Sequence, residues 1–317
     1  MFTADGRISP LLLKKTPIRV MNGVSNPSPR NLVIDITTFG VSVVGITRIL
    51  LLPHHSTFKM KTLKDKVAVV TGGNRGIGYS TAQILAEAGA KVVITGRDKE
   101  SVNNASAELG VKGFIADQRK LETLDELAKS LEDQVGKIDV LFLNAGLGTF
   151  QPVSSTPEDV YDLIMDTNLK GTFFTVQKLI PLLNDGASVI FNASVTPILG
   201  IPGSSVYAAS NAAIVSLARI LSKELSDRKI RVNTVSPGTI RAGVHTPSEE
   251  EQKKNLMPSE KRSAFENALE RRMLLKRYGT ACEVGNAVKF LASDESSFVN
   301  GSVLTVDGGV TVDSLNY

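Results

Sequence analysis

Thr71-Gly72-Gly73-Asn74-Arg75-Gly76-Ile77-Gly78 decides how the chain is read. The stretch closes a short apolar run, residues 67–71, that reads as a buried strand, and it precedes a helical pattern over residues 79–88. Glycines between a strand and a helix allow a tight turn and let the backbone approach an anion closely. The amide N–H groups at the start of the helix then hold that charge. Three glycines alone are a weak signal, but their place at the head of an alternating α/β pattern makes this turn a candidate pyrophosphate cradle. The spacing of Gly72, Gly76 and Gly78 is Gly-x-x-x-Gly-x-Gly, which differs from the common Gly-x-Gly-x-x-Gly fingerprint.

Outward from this turn, strand-like runs at 92–95, 113–116, 140–143, 188–192, 231–235 and 302–306 alternate with helical patterns. The helices fall at about 99–109, 121–134, 157–183, 204–227 and 281–292. Strands in strict alternation with helices call for a parallel sheet covered on both faces. The expected fold class is therefore α/β, a doubly wound parallel sheet of Rossmann type forming a single domain with an N-terminal extension. No internal repeat or low-complexity tract interrupts the pattern.

Composition agrees and removes other classes. The 317 residues are 42% hydrophobic and 21% charged, which excludes wholesale disorder, collagen and a multi-span membrane protein. One cysteine, Cys282, rules out an internal disulfide and a cysteine-cluster metal site. With only His54, His55 and His245 besides, no metal is expected. The net charge of +4 is concentrated in residues 1–59, which hold seven basic and two acidic side chains. The rest carries 29 basic against 30 acidic, so no general attraction to nucleic acid is expected.

The composition changes at about Met60. Residues 1–59 are taken as an N-terminal extension outside the core, and residues 60–317 as the folded domain. The apolar run 32–52 contains Asp35 and Arg48, which leave an uncharged core of about 12 residues, short of the roughly 20 a spanning helix needs. No stable membrane span is therefore expected. The leader reads either as a dispensable extension ahead of a functional start at Met60 or as an organelle transit segment. The corresponding location is cytoplasmic, with organelle import through residues 1–59 as the alternative.

From residue 63 to 309 the chain resembles the short-chain dehydrogenase/reductase family. The resemblance rests on the glycine turn, Asp117 after the third strand, Asn144-Ala145-Gly146 after the fourth, Asn168, Ser194, Tyr207, Pro237-Gly238 and Val306-Asp307-Gly308-Gly309. Ser194 and Tyr207 stand 13 residues apart, the family's spacing. The resemblance implies a nicotinamide dinucleotide bound at the carboxyl ends of the strands. Its contacts would include Gly72, Asn74, Arg75, Gly76, Ile77, Gly78, Arg97, Asp117, Asn144, Ala145, Gly146, Pro237, Gly238 and Ile240. It further implies a small carbonyl or alcohol substrate and a homodimer or homotetramer formed through the helices at 159–178 and 204–224. Arg75 and Arg97 stand where the family's NADP-binding members resemble this chain, and a guanidinium suits a 2′-phosphate. NADP is thus preferred over NAD. Leu143 replaces the family's usual first Asn of its motif.

By the same resemblance, Ser194 polarises a carbonyl, Tyr207 donates its proton and Asn168 holds a water. The family places a lysine four residues after the tyrosine, where it lowers the tyrosine pKa and binds the nicotinamide ribose. Here that position is Asn211. An unperturbed tyrosine is ionised in only about one molecule in a thousand at pH 7. Loss of the cation should therefore harm alcohol oxidation more than carbonyl reduction. Lys223, three turns on, is too far to substitute. Three readings of Asn211 stay open: a weakened reductase, a cofactor-binding pseudoenzyme acting through oligomeric partners, or a replacement in an active parent. The apolar segment 195–203 and the charged excursion 241–276 are expected to border the substrate. They are compatible with small ketones, acyl thioesters, steroids or sugars.

Overall fold

The computed structural model describes residues 63–241 and 270–312. The leader, its apolar run and most of the charged excursion after Arg241 lie outside the described residues.

Continuous apolar runs make strands buried on both faces, and the inner strands of the sheet behave accordingly, while the two edge strands are more exposed. The strands are β1 (Val67–Thr71), β2 (Lys91–Gly96), β3 (Lys112–Ile115), β4 (Ile138–Leu143), β5 (Leu183–Asn192) and β6 (Arg231–Pro237). After the two-residue β7 (Ile240–Arg241) and β8 (Gly279–Thr280), β9 (Val303–Val306) completes the main sheet. Its order is β3-β2-β1-β4-β5-β6-β9, parallel throughout. The helices are α1 (Gly76–Glu87), α2 (Lys99–Leu109), α3 (Leu121–Gln134), α4 (Glu158–Met165), α5 (Thr172–Leu179), α6 (Thr196–Leu199), α7 (Ser205–Glu224) and α8 (Ala281–Ala292).

The period-two geometry of a strand divides each run between two cores. Val69, Val93, Leu141, Val189 and Phe191 pack with Leu124, Leu127 and Leu131 of α3, Leu179 of α5 and Ile214 and Leu221 of α7. Their neighbours Ala68, Val70, Ile94, Phe142 and Ile190 pack on the other face with Leu85 of α1 and Val284, Val288 and Leu291 of α8. Leu143 joins the first core and is 3% exposed. The chain runs outward from β1 through β2 to β3, then returns to β4 on the opposite side of β1. Helices on the two sides leave in opposite directions there, so a crevice opens at the carboxyl ends of β1 and β4.

Three expectations need correction. The helix expected over 157–183 is broken by a π-helical turn, Asp166–Gly171, between α4 and α5. One extra residue in a turn is invisible to a 3.6-residue pattern. Here it accompanies a close approach at Gly171, where a Cβ would meet Gln118 Cγ at 2.7 Å. Strand β5 begins five residues earlier than the apolar run, because Leu183 pairs with Ile138 across a register shift that the polar stretch from Asn184 conceals. The paired β7 and β8 are too short for any period to reveal. Tyr161, Phe173 and Ile220, in the helices of the expected oligomer faces, stand exposed in the single chain.

The carbonyls at and beyond the carboxyl end of α8, which also accept from nearby serine and asparagine side chains, are gathered by a cation from the sheet. Arg231 of β6 donates to Leu291 O at 2.9 Å and Ser293 O at 3.1 Å, and reaches Val299 O at 3.4 Å. Burial lowers its pKa, but an arginine keeps its charge at any ordinary pH. The positive group also complements the negative end of the helix. Arg231→Met keeps the aliphatic stem and removes the donors, so it should cost about 2 kcal/mol by the worth of charged hydrogen bonds. In a thermal melt this reads as a fall in Tm of roughly 4–8 °C for a domain of this size. An unchanged Tm would contradict the clamp.

Candidate active site

The glycine turn sits where the sequence puts it, between β1 and α1. Gly76 has φ +56°, a left-handed conformation that favours glycine, and it opens the helix. Gly78 is required by proximity, since a Cβ there would lie 2.1 Å from Gly72 O and 2.6 Å from Asn144 Nδ2. The first amides of a helix have no partner within it. Arg75, the capping residue, supplies no side-chain cap and the first turn has no acid. The turn therefore presents uncapped positive dipole to the crevice.

Asn144 holds the crevice at its root. Its backbone N–H donates to Thr71 Oγ1 at 2.9 Å, and its Nδ2 donates to Thr71 O at 3.0 Å and Gly72 O at 3.2 Å. Ala145 N–H shares Thr71 Oγ1 at 3.0 Å, and Asn192 Nδ2 donates to Asn144 Oδ1 at 2.9 Å. The ends of β1, β4 and β5 are thus joined through one amide side chain. Asn192 Oδ1 is left buried without a partner on the cavity wall.

The crevice is a cavity of about 550 Å³ running from the glycine turn past β2 and β3 in one direction and to α7 in the other. Of the expected cofactor contacts, Gly72, Asn74, Arg75, Gly76, Ile77, Arg97, Asp117, Asn144, Ala145 and Gly146 line it together. Asn74 braces the turn by donating to Ser101 Oγ of α2 at 2.7 Å. Gly78 lies behind the turn. Pro237, Gly238 and Ile240 stand outside the cavity wall: a Cβ on Gly238 would meet Asp307 at 2.8 Å, and Ile240 pairs with Gly279 in the small sheet.

Asp117 is drawn toward Arg119. The guanidinium holds both carboxylate oxygens, Nε at 2.9 Å from Oδ1 and Nη2 at 2.6 Å from Oδ2. The hydrogen bond from Arg119 keeps the Asp117 carboxyl below its usual pKa against an opposing effect of burial, with Arg97 adding to the field. Arg75, Arg97 and Arg119 all border the cavity beside Asp98 and Asp117, so the lining at this end is net positive.

At the other end, Tyr207 and Asn211 project into the cavity from α7, one turn apart on the same face. Tyr207 is half-buried as a residue, and burial pushes its pKa above the ordinary value near 10. Hydrogen bonding with Ser194, and then with Asn211, pulls the other way without cancelling this. Ser194 lies just beyond the end of β5, outside the cavity lining, and its Oγ accepts from Thr196 N at 3.2 Å and Thr196 Oγ1 at 3.1 Å. That leaves its own proton for the tyrosine side. Asn211 is 6% exposed and its Nδ2 donates to Tyr207 O at 2.8 Å, so its amide is turned back on its own helix. Lys223 is exposed in the last turn of α7.

Asn168 lies in the π turn and grips Leu147, accepting from its N–H at 2.9 Å and donating to its carbonyl at 2.8 Å. A second donation goes to Ser210 Oγ at 3.2 Å, which ties the Asn144-Ala145-Gly146 loop to α7. Sequence reasoning missed several neighbours. Gly148 lies flat against Tyr207, where a Cβ would approach ring carbon Cε2 at 3.2 Å. Gln118 Nε2 donates to Ala145 O at 3.0 Å and Thr167 O at 2.6 Å. Thr71 is legible as the final strand residue, and Arg119 as a cation two positions from an acid. Gly148 and Gln118 carry no local signal, because their partners are distant in sequence.

The residues present fit a dinucleotide: an uncapped helix start for the pyrophosphate, arginines beyond β2, and Tyr207 with Asn211 at the opposite end. Comparison with known proteins agrees. Residues 72–311 match the family model described as enoyl-(acyl carrier protein) reductase. An oxidoreductase of Sarocladium schorii, asL5, is 37% identical over 79% of this chain and 98% of its own length. The 3-oxoacyl-[acyl-carrier-protein] reductase FabG of Thermotoga maritima is 34% identical over 79% of this chain and 99% of its own. Among solved structures, a short-chain dehydrogenase/reductase from Brucella melitensis superposes with a TM-score of 0.70 at 28% identity, covering 78% of this chain and 98% of that one. The parallel sheet, the crevice at its reversal and these matches over about four fifths of the chain place it in the short-chain dehydrogenase/reductase family of oxidoreductases.

Proposed function

We propose that the protein is an NADP-dependent carbonyl reductase that works through a neutral Tyr207, with Asn211 limiting the reverse reaction. The observation that carries this is Tyr207 on the wall of the cavity whose middle is the glycine turn, with Ser194 just behind that wall and near enough to its hydroxyl to lower its pKa. A reduced nicotinamide, when bound, supplies the hydride. The chain's part is to polarise the carbonyl and deliver the proton. Ser194, its oxygen already accepting from Thr196, donates its hydroxyl hydrogen toward the carbonyl oxygen. Tyr207 acts as the acid, giving its phenolic proton to that oxygen as negative charge develops there.

Burial raises the Tyr207 pKa and no ammonium stands at residue 211 to lower it. The proton-donating form therefore persists through the physiological range and is lost only as pH rises through a value above 10. Oxidation of an alcohol needs the opposite form, the tyrosinate, whose population grows about tenfold per pH unit below that pKa. A purely structural dinucleotide-binding protein is the alternative reading. Ser194 and Tyr207 favour an enzyme, because neither is required by the core.

Arg75 and Arg97 support NADP, since both line the end of the cavity beyond β2 and can hold a 2′-phosphate. Wild-type protein should bind NADPH at least tenfold more tightly than NADH, and Arg75→Ala/Arg97→Ala should bring the two Kd values together. Calorimetry reads both, and equal affinity in the wild type would refute the assignment.

Asn211→Lys tests the tyrosine. An ammonium one turn away should lower the Tyr207 pKa by roughly 2–3 units, or about 3–4 kcal/mol at 1.36 kcal/mol per unit. Initial rates at pH 7 should show alcohol oxidation rising at least 100-fold, its pH optimum moving down, and ketone reduction gaining less. Tyr207→Phe in the same background should remove both gains. An unaltered pH profile in Asn211→Lys would mean that Tyr207 is not the acid.

A further inference from the structure

Ser194 can polarise a carbonyl only if its hydroxyl hydrogen points out of the segment that carries it, and the backbone of that segment is fixed on both sides. Ala193 N–H donates to Val235 O at 2.9 Å and Val195 N–H to Pro237 O at 3.1 Å, so the chain through Ser194 continues alongside β6 past the end of β5. Val195 is buried with Met273 and Val310 in a small core of its own. Thr196 then opens the short α6, and Pro197 follows with its φ fixed by the ring. What this frame leaves free at Ser194 is the rotation of its side chain and of its hydroxyl.

Thr196 takes up both. Its N–H donates to Ser194 Oγ at 3.2 Å, and its Oγ1 donates to the same atom at 3.1 Å. The first bond, from an amide two residues on, selects the side-chain rotamer. The second decides the hydroxyl. A serine oxygen has two acceptor directions and one hydrogen. With both directions filled by Thr196, the hydrogen is left to point away from α6. Accepting two bonds also polarises the O–H and makes it a stronger donor. Thr196 is 7% exposed, so water hardly competes for these bonds, and it stands outside the cavity lining.

We infer that Thr196 is a positioning residue for carbonyl reduction, acting through Ser194 by orienting its hydroxyl as a donor while touching neither substrate nor cofactor itself. The opposite arrangement, with the serine hydrogen turned onto Thr196 Oγ1, would withdraw that hydrogen from the reacting carbonyl. Removal of the threonine hydroxyl therefore changes the rate in opposite directions in the two cases, which makes the role measurable.

The inference rests on the carbonyl-reductase reading above, and its test separates the two. Initial rates of NADPH-dependent reduction of ethyl acetoacetate and of 9,10-phenanthrenequinone are measured at pH 7, with the NADPH Kd from calorimetry. Thr196→Val keeps the shape and the N–H and removes the hydroxyl. It should lower kcat about tenfold, short of the roughly 10²–10³ lost when a direct donor to a developing oxyanion is removed. KM and the NADPH Kd should stay within about twofold, because the interaction lost is one made in the transition state. Thr196→Ser, which keeps the hydroxyl, should retain the wild-type kcat, and Thr196→Ala should repeat the loss with a smaller side chain. In a Ser194→Ala background, adding Thr196→Val should change kcat by less than about twofold, since the residue it acts through is gone. An unchanged or raised kcat in Thr196→Val overturns the inference, because the hydroxyl would then be idle or competing. A loss that Thr196→Ser shares, or that persists in Ser194→Ala, overturns it as well and marks a packing role. Each of these outcomes leaves the reductase reading standing. Wild-type protein that reduces neither ketone overturns that reading and the inference with it.

Discussion

The site depends on how two adjacent strands are held where the chain reverses across the sheet. β1 and β4 are neighbours, but the chain leaves their carboxyl ends in different directions, and the gap between them is the crevice. Left open, the strand ends would present unpaired amides and carbonyls to a partly buried cleft, at a cost of about 1–3 kcal/mol for each group left without a partner. Asn144 and Thr71 satisfy these groups within the protein: one hydroxyl accepts two amides, and one carboxamide bonds two carbonyls and a second asparagine. Gly78 then packs where any side chain would collide with Gly72 O and with the same asparagine. The anion cradle and the frame of the sheet are thus a single polar network, and the ends of the cavity are positioned from it.

At one end, three arginines outnumber two acids, one of which, Asp117, is paired with Arg119. At the other, the described residues around the tyrosine hydroxyl are uncharged. Ser194 and Asn211, both neutral, are the side chains that act on Tyr207, so desolvation dominates its ionisation. With its pKa raised, the phenol keeps its proton at neutral pH and its ionised form is scarce. Asn211 preserves the packing of the helix face, being buried and bonded to Tyr207 O, while removing the electrostatics a lysine would supply.

The fold is legible in the sequence because each strand of the main sheet carries a short apolar run and the turn after β1 carries glycine. The seven strands of the main sheet fall where those runs lie, and the glycine turn, Asp117, Asn144 and Tyr207 meet in one cavity. The hidden features depend on contacts between distant residues. The π turn at Asp166–Gly171 preserves hydrophobic periodicity on either side, so nothing local marks it, yet it sets Asn168 against Leu147. Gln118 looks like a surface residue after a strand but is 9% exposed and bridges two segments. Pro237, Gly238 and Ile240 join the cofactor contacts by resemblance, whereas their packing is against Asp307 and the β7–β8 pair.

The central claim is that Tyr207 stays protonated because its surroundings are neutral and dry. The direct measurement is ultraviolet difference titration of tyrosinate in the wild type against Tyr207→Phe, which isolates this hydroxyl from the other four tyrosines of the chain. The difference signal should develop only above pH 10, where unperturbed tyrosines have begun to ionise. A Tyr207 signal that titrates below pH 9 would contradict the claim, since some cationic partner would then be lowering the pKa in place of the missing lysine.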